Sequence, residues 1–169
     1  MNTHLPIILG IAAGARRIGV AVFHGTDLIF YGVRTIRDKN DDLTLARTRR
    51  ILKEFLHNFD VTHLALAKIV FVQQHRSFVK IVSDEIRNYL KDQQVPYTEH
   101  NPKAFRKAVC ENEKPTKANT ALIIAGRYPE LKRFFNVSKI WQKRYYDLLL
   151  DAVAVGLVCA RDHLSDDDP

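Results

Sequence analysis

Two aspartates near the C-terminal end of the chain, Asp147 and Asp151, stand four residues apart in a stretch of helical apolar spacing. Residues four apart on a helix share a face, so both carboxylates can address one site. Asp151 opens the apolar run DAVAVGLVCA, where an unpaired carboxylate is costly, and that cost argues for a working acid. Asp147 has a structural explanation too, because the helix dipole favours an acid near a helix start. Cations are more numerous. Arg16 and Arg17 follow the first apolar run; His75, Arg76 and Lys80 surround the start of a later helix; Lys103, Arg106, Lys107, Lys114 and Lys117 form a third group. Basic residues spread over a broad face suit a polyanion, because neutralised phosphates release counterions. Solvated surface explains the same residues equally well.

The 169 residues carry a formal net charge of +7, even though residues 165–169 form an acidic tail. Residues 1–164 are therefore more basic than the total suggests, and one domain with a sizeable core is expected from the length and the 46% apolar content. No stretch approaches ~18 uninterrupted apolar residues, and the N-terminus lacks a signal-peptide pattern, so a soluble intracellular protein is expected. Cys110 and Cys159 have no metal-like spacing and sit in apolar helical patterns, which reads as two buried thiols.

The elements that must position these groups follow from periodicity. Residues 7–11, 18–23 and 28–36 are three apolar runs with tight turns between them, an antiparallel meander. Residues 43–59 have helical spacing with a basic outer face, and Asp41-Asp42 offers a helix start. Residues 63–72 (HLALAKIVFV) read as a buried central strand broken only by Lys68. A helix over 77–90, a short strand at 95–97, helices from Pro102 and over 117–125, and a long apolar helix over 146–164 complete the order βββ-α-β-α-β-α-α-α. This pattern predicts an α/β fold, a mixed five-stranded sheet with helices on both faces.

Three segments in this order resemble the RuvC family of Holliday-junction resolvases, which have a ribonuclease H-like fold. ILGIAAGAR (residues 8–16) is similar to the family's opening strand, Leu-Gly-Ile-Asp-Pro-Gly-Ser. LAKIVF (66–71) is similar to its Ile-Glu-Gln-Val-Phe strand, with SFVK (77–80) opening the dimer-forming helix. DAVAVGL (151–157) is similar to the Asp-Ala-Leu-Ala-Ile-Ala helix. Between them, residues 101–109 and 114–117 resemble the family's Pro-x-x-Val-Lys and Lys-before-helix region.

The resemblance implies a homodimeric, Mg²⁺-dependent endonuclease acting on four-way DNA junctions in recombination and repair. Carboxylates of such a site hold two Mg²⁺ ions ~3.5–4 Å apart, and Mg²⁺ demands hard oxygen ligands. The resemblance assigns one acid to the first strand, one to the fourth strand and two to the last helix. Here the first two positions read Ala12 and Ala67. On the helix Asp151 matches, whereas the family's gap of three residues puts the other acid at Leu148, so Asp147 fits imperfectly. Asp27, Asp38, His75, Glu111 and Glu113 offer no convincing replacement. Two acids, Asp151 and Asp147, make an incomplete metal set, and little or no cleavage is expected. Lys117 matches a family lysine beside the active site. The family's stacking aromatic falls at Val70, with Phe71 adjacent, where a core role competes with contact to a DNA base.

Two histories produce this pattern. Deliberate replacement of catalytic acids would trap substrate, and the otherwise ordinary surroundings favour it. A natural non-catalytic nucleic-acid-binding or scaffold protein of the same fold would read the same way, and an RNA-processing relative is a third reading. The Phe78, Val82, Ile86, Leu90 stripe could bury against a second copy or on its own sheet.

Overall fold

A computed structural model describes residues 4–69, 78–135 and 140–166. Strands β1 (Ile7–Ala13), β2 (Arg17–His24) and β3 (Asp27–Thr35) form the meander. Its second turn is the two-residue link Gly25-Thr26, between paired His24 and Asp27, with Gly25 at a φ of +58° that favours glycine. Helix α1 (Asp41–Asn58) follows, capped by the Asn40 side chain, which accepts from the Leu43 amide. Then come β4 (His63–Ala67), α2 (Phe78–Asp92), β5 (Tyr97–His100), α3 (Pro102–Cys110), α4 (Lys117–Arg127), a 3₁₀ turn and α5 (Lys132–Phe135), and α6 (Ile140–Asp166).

The sheet order is β3-β2-β1-β4-β5, with β1 antiparallel to β2 and parallel to β4, and β4 parallel to β5. This is the mixed five-stranded ribonuclease H-like arrangement expected from the sequence. Alternation along β4 explains its continuous apolar run: Leu64 and Leu66 enter the core under α1 and α2, while Ala65 and Ala67 face the core under α3, α4 and α6.

The boundaries differ from the expectation in instructive ways. The fourth strand stops at Ala67 and Lys68 is exposed, so the strand is shorter than 63–72; residues 70–77 lie outside the described ones. The last strand begins at Tyr97, because Val95 closes α2 through its amide and Pro96 has no N–H to give. Helix α6 starts at Ile140, since nothing between 140 and 146 breaks a helix. The α2 stripe is internal: Val82, Ile86 and Leu90 are fully buried in the chain's own core, and Phe78 packs against it, so this stripe is not free for a second copy. Among the described residues no helix is long and apolar enough to cross a membrane.

Helix α6 lies very close to the meander because glycines leave it room. A Cβ on Gly19 would fall 2.1 Å from the Leu148 carbonyl oxygen, and one on Gly10 would fall 2.2 Å from that of Ala152. This contact fixes the height of the helix over the tip of β1, and with it the place of residue 151.

Candidate active site

In the parallel register β1 pairs with β4 as Gly10 with Ala65 and Ile11 with Leu66, so Ala12 and Ala67 come next, side by side. Ala67 in turn pairs with His100 of β5, and the Lys68 amide donates to the His100 carbonyl at 2.9 Å. The first chain connection leaves β1 toward β2, while the one from β4 leads through α2 to β5 on the other side. A crevice opens at the C-terminal ends of parallel strands where connections diverge in this way.

That crevice is a cleft of about 560 Å³ lined by Ala12, Ala67, Lys68, Lys103, Arg106, Leu148 and Asp151, among others. Four distant stretches of sequence thus converge on one place. Ala12 and Ala67 are buried, and each offers only a methyl group. Asp151, from α6, accepts a hydrogen bond from Arg106 Nη2 of α3 at 2.9 Å, and each of the two side chains is 18% exposed. Burial pushes the Asp151 carboxyl above the usual carboxylate range; the Arg106 guanidinium and the charge of Lys117 pull it back, and Asp147 adds to the upward push. Arg106 Nε is buried with no partner among the described residues.

Asp147 occupies a neighbouring cavity, with Lys117, Lys143, Phe134 and Tyr146. Its carboxylate accepts from Lys117 Nζ at 2.8 Å in a half-exposed ion pair. Leu148, not Asp147, shares the cleft with Asp151, as a three-residue helical step dictates.

The other sequence-predicted residues are dispersed. Lys103 lines the cleft; Lys107, Lys114, Lys80, Arg16 and Arg17 are exposed. The Arg17 guanidinium lies 5.0 Å above the Tyr145 ring. Phe71, His75 and Arg76, like Val70, lie outside the described residues. Two cleft groups escaped the sequence reading. Lys68 read as an interruption in a strand, although it stands immediately beyond the strand's last residue. Asn101 read as part of a motif, although its side chain caps α3 by accepting from the Lys103 amide at 2.9 Å.

The sequence model of the family described as crossover junction endodeoxyribonuclease RuvC matches residues 8–143. That span includes Ala12, Ala67 and Arg106 and ends before Asp147 and Asp151. No curated protein sequence matches the chain significantly. Among solved structures, Thermus thermophilus RuvC in complex with a Holliday junction substrate superimposes with a TM-score of 0.71 at 18% identity, covering 94% of this chain and 96% of that one. The yeast mitochondrial Holliday junction resolvase gives a TM-score of 0.65 at 12% identity, covering 96% and 82%. With a family match over most of its length and the same overall fold as these solved resolvases, this chain belongs to the RuvC family of crossover junction endodeoxyribonucleases.

Proposed function

We propose that this chain binds four-way DNA junctions as a RuvC-family member that does not cut them. The observation that carries this reading is the content of the cleft: it holds Ala12, Ala67 and Leu148, the positions to which the sequence resemblance assigns acids, and its one carboxylate, Asp151, is held by Arg106. Mg²⁺ needs several hard oxygen ligands in near-octahedral array, and one carboxylate already neutralised by a guanidinium does not supply them. The donor set therefore does not fit a pair of Mg²⁺ ions. What remains is a cleft bordered by Lys68, Lys103 and Arg106 on a chain of net charge +7, suited to phosphate. The relative from Thermus thermophilus is described with a Holliday junction substrate bound, which supports branched DNA as the ligand. Such a role belongs with the cell's DNA, in the cytoplasm or nucleoid, in recombination or repair.

The replacement reaches beyond two positions. Leu148 is built into the packing, with its backbone against Gly19 and its side chain beside Gly14, and Arg106 holds Asp151. Two point substitutions at positions 12 and 67 would not account for Leu148, which favours natural degeneration as the history. A homodimer with two junction-facing clefts suits a two-fold junction. With its inner stripe buried, α2 has exposed Ile81 on its outer face for that contact.

The test is competition among labelled four-way junction, linear duplex and structured RNA, all in EDTA. The junction is expected to bind at least tenfold more tightly than duplex, with affinity falling steeply as salt rises. Preference for structured RNA would favour the RNA-processing reading instead, and equal affinity for all three would refute junction selectivity.

A further inference from the structure

At the far end of α6 a second group of side chains converges. Cys159 and His163 are four residues apart on one helix face, and His63, the first residue of β4, packs against them. One ligand-capable atom from each of the three lies within 4.8 Å of the others. The rings of His63 and His163 have centroids 4.4 Å apart, and His163 Nδ1 is 3.6 Å from Cys159 Sγ. Cys159 is at the bottom, 1% exposed, and the two imidazoles form a half-buried rim above it.

Strand β5 completes the surround. Thr98 Oγ1 lies 3.2 Å from His63 Nε2, 2.9 Å from His100 Nε2 and 3.9 Å from Cys159 Sγ. Two or three imidazoles and a thiol meeting at one edge of a sheet are not required by packing. Apolar residues would fill the space with no polar atoms to satisfy.

We propose that His63, Cys159 and His163 bind a Zn²⁺ ion, clamping the end of α6 to the β4–β5 edge of the sheet. Nitrogen and thiolate donors select a borderline-soft ion over Mg²⁺ or Ca²⁺. In a tetrahedral site, Zn–N and Zn–S bonds of ~2.0–2.3 Å place donors roughly 3.5 Å apart, so the three side chains need close by only about 1 Å. The fourth position falls to water. On binding, a Zn–S bond forms as the Cys159 S–H bond breaks, and the proton leaves to solvent. The site stands apart from the junction cleft: Cys159 is eight residues beyond Asp151, ~12 Å along the helix.

The experiment titrates Co²⁺, then Zn²⁺, into the untagged, metal-stripped full-length protein and follows absorption. One equivalent of Co²⁺ is expected to produce tetrahedral visible bands and a thiolate-to-cobalt charge-transfer band, all bleached by Zn²⁺. Zn²⁺ should also raise the melting temperature. Cys159→Ser should abolish the charge-transfer band, and Cys110→Ser should leave it intact. His163→Gln, at the half-buried rim, keeps the sulfur and should weaken binding at least tenfold, which guards against a folding defect in Cys159→Ser. Absence of a thiolate-to-cobalt band, or a band undiminished in both Cys159→Ser and His163→Gln, would overturn the proposal.

Discussion

The Asp151 carboxylate and the Arg106 guanidinium meet 2.9 Å apart, beside the two strand tips where Ala12 and Ala67 lie next to each other. In a family whose site is expected to gather carboxylates around metal ions, the acid that survives here is paired with a cation from the protein itself. The pair joins α3 to α6 across the floor of the cleft.

Removing the cation tests that pairing. Arg106→Ala leaves Asp151 buried without its partner, a loss expected to cost about 2–3 kcal/mol at pH 7, below the ~3–5 kcal/mol of a fully buried pair because both side chains keep some exposure. The sign with pH follows from the carboxyl being raised in the folded state. The native protein then holds its proton more tightly than the unfolded chain, so stability falls as pH rises through the folded pKa. Denaturant unfolding should show the gap between variant and wild type narrowing as pH falls from 7 toward 4. A gap unchanged across that range would mean the ion pair is not its source.

Restoring the acids should restore chemistry. Ala12→Asp with Ala67→Glu gives the cleft three carboxylates, and slow Mg²⁺-dependent nicking of four-way junctions is expected. Adding Leu148→Asp should raise the rate at least tenfold, provided the helix keeps its seat. A triple variant that folds and binds junctions yet never nicks in Mg²⁺ or Mn²⁺ would show that the cleft is not a former metal site.

The closeness of α6 to the sheet can be probed at Gly19. Its added methyl in Gly19→Ala would overlap the Leu148 carbonyl and push the helix off the meander. Overpacking of this kind costs about 1–3 kcal/mol, measurable by denaturant unfolding, and should weaken junction binding as the cleft opens. A variant as stable as wild type would contradict the observed contact.

Lys68 and Lys103 border the cleft and are expected to contact phosphates. Lys68→Ala and Lys103→Ala should each weaken binding across DNA sequences and reduce the slope of log affinity against log salt by ~1. Unchanged slopes would put the DNA elsewhere on the surface.

Much of this was legible before any coordinates. Apolar runs and helical spacing gave the first four strands and the four long helices flanking the sheet, and placed the last strand two residues early; the order of three motifs pointed to Ala12, Ala67 and Asp151. What sequence could not show depends on contacts between distant segments. Arg106 reads as one more surface cation until α3 is seen to lean on α6. Leu148 and Asp147 are adjacent in sequence yet line different cavities, because one helical residue turns a side chain by about 100°. Cys159 reads as a buried thiol, since its companions are one turn ahead on the helix and nearly a hundred residues behind on β4. The α2 stripe is equally compatible with a dimer seam, and only the packed core shows that its own sheet covers it.

The most direct measurement is of binding and cleavage on the same sample. The wild-type protein is saturated with a labelled four-way junction, first in EDTA and then with Mg²⁺ or Mn²⁺, and both the bound fraction and the strand lengths are read. Tight binding without metal and intact strands with it are expected. Metal-dependent paired nicks near the junction centre from this sequence, with Ala12 and Ala67 in place, would contradict the reading of a cleft that has lost its metals.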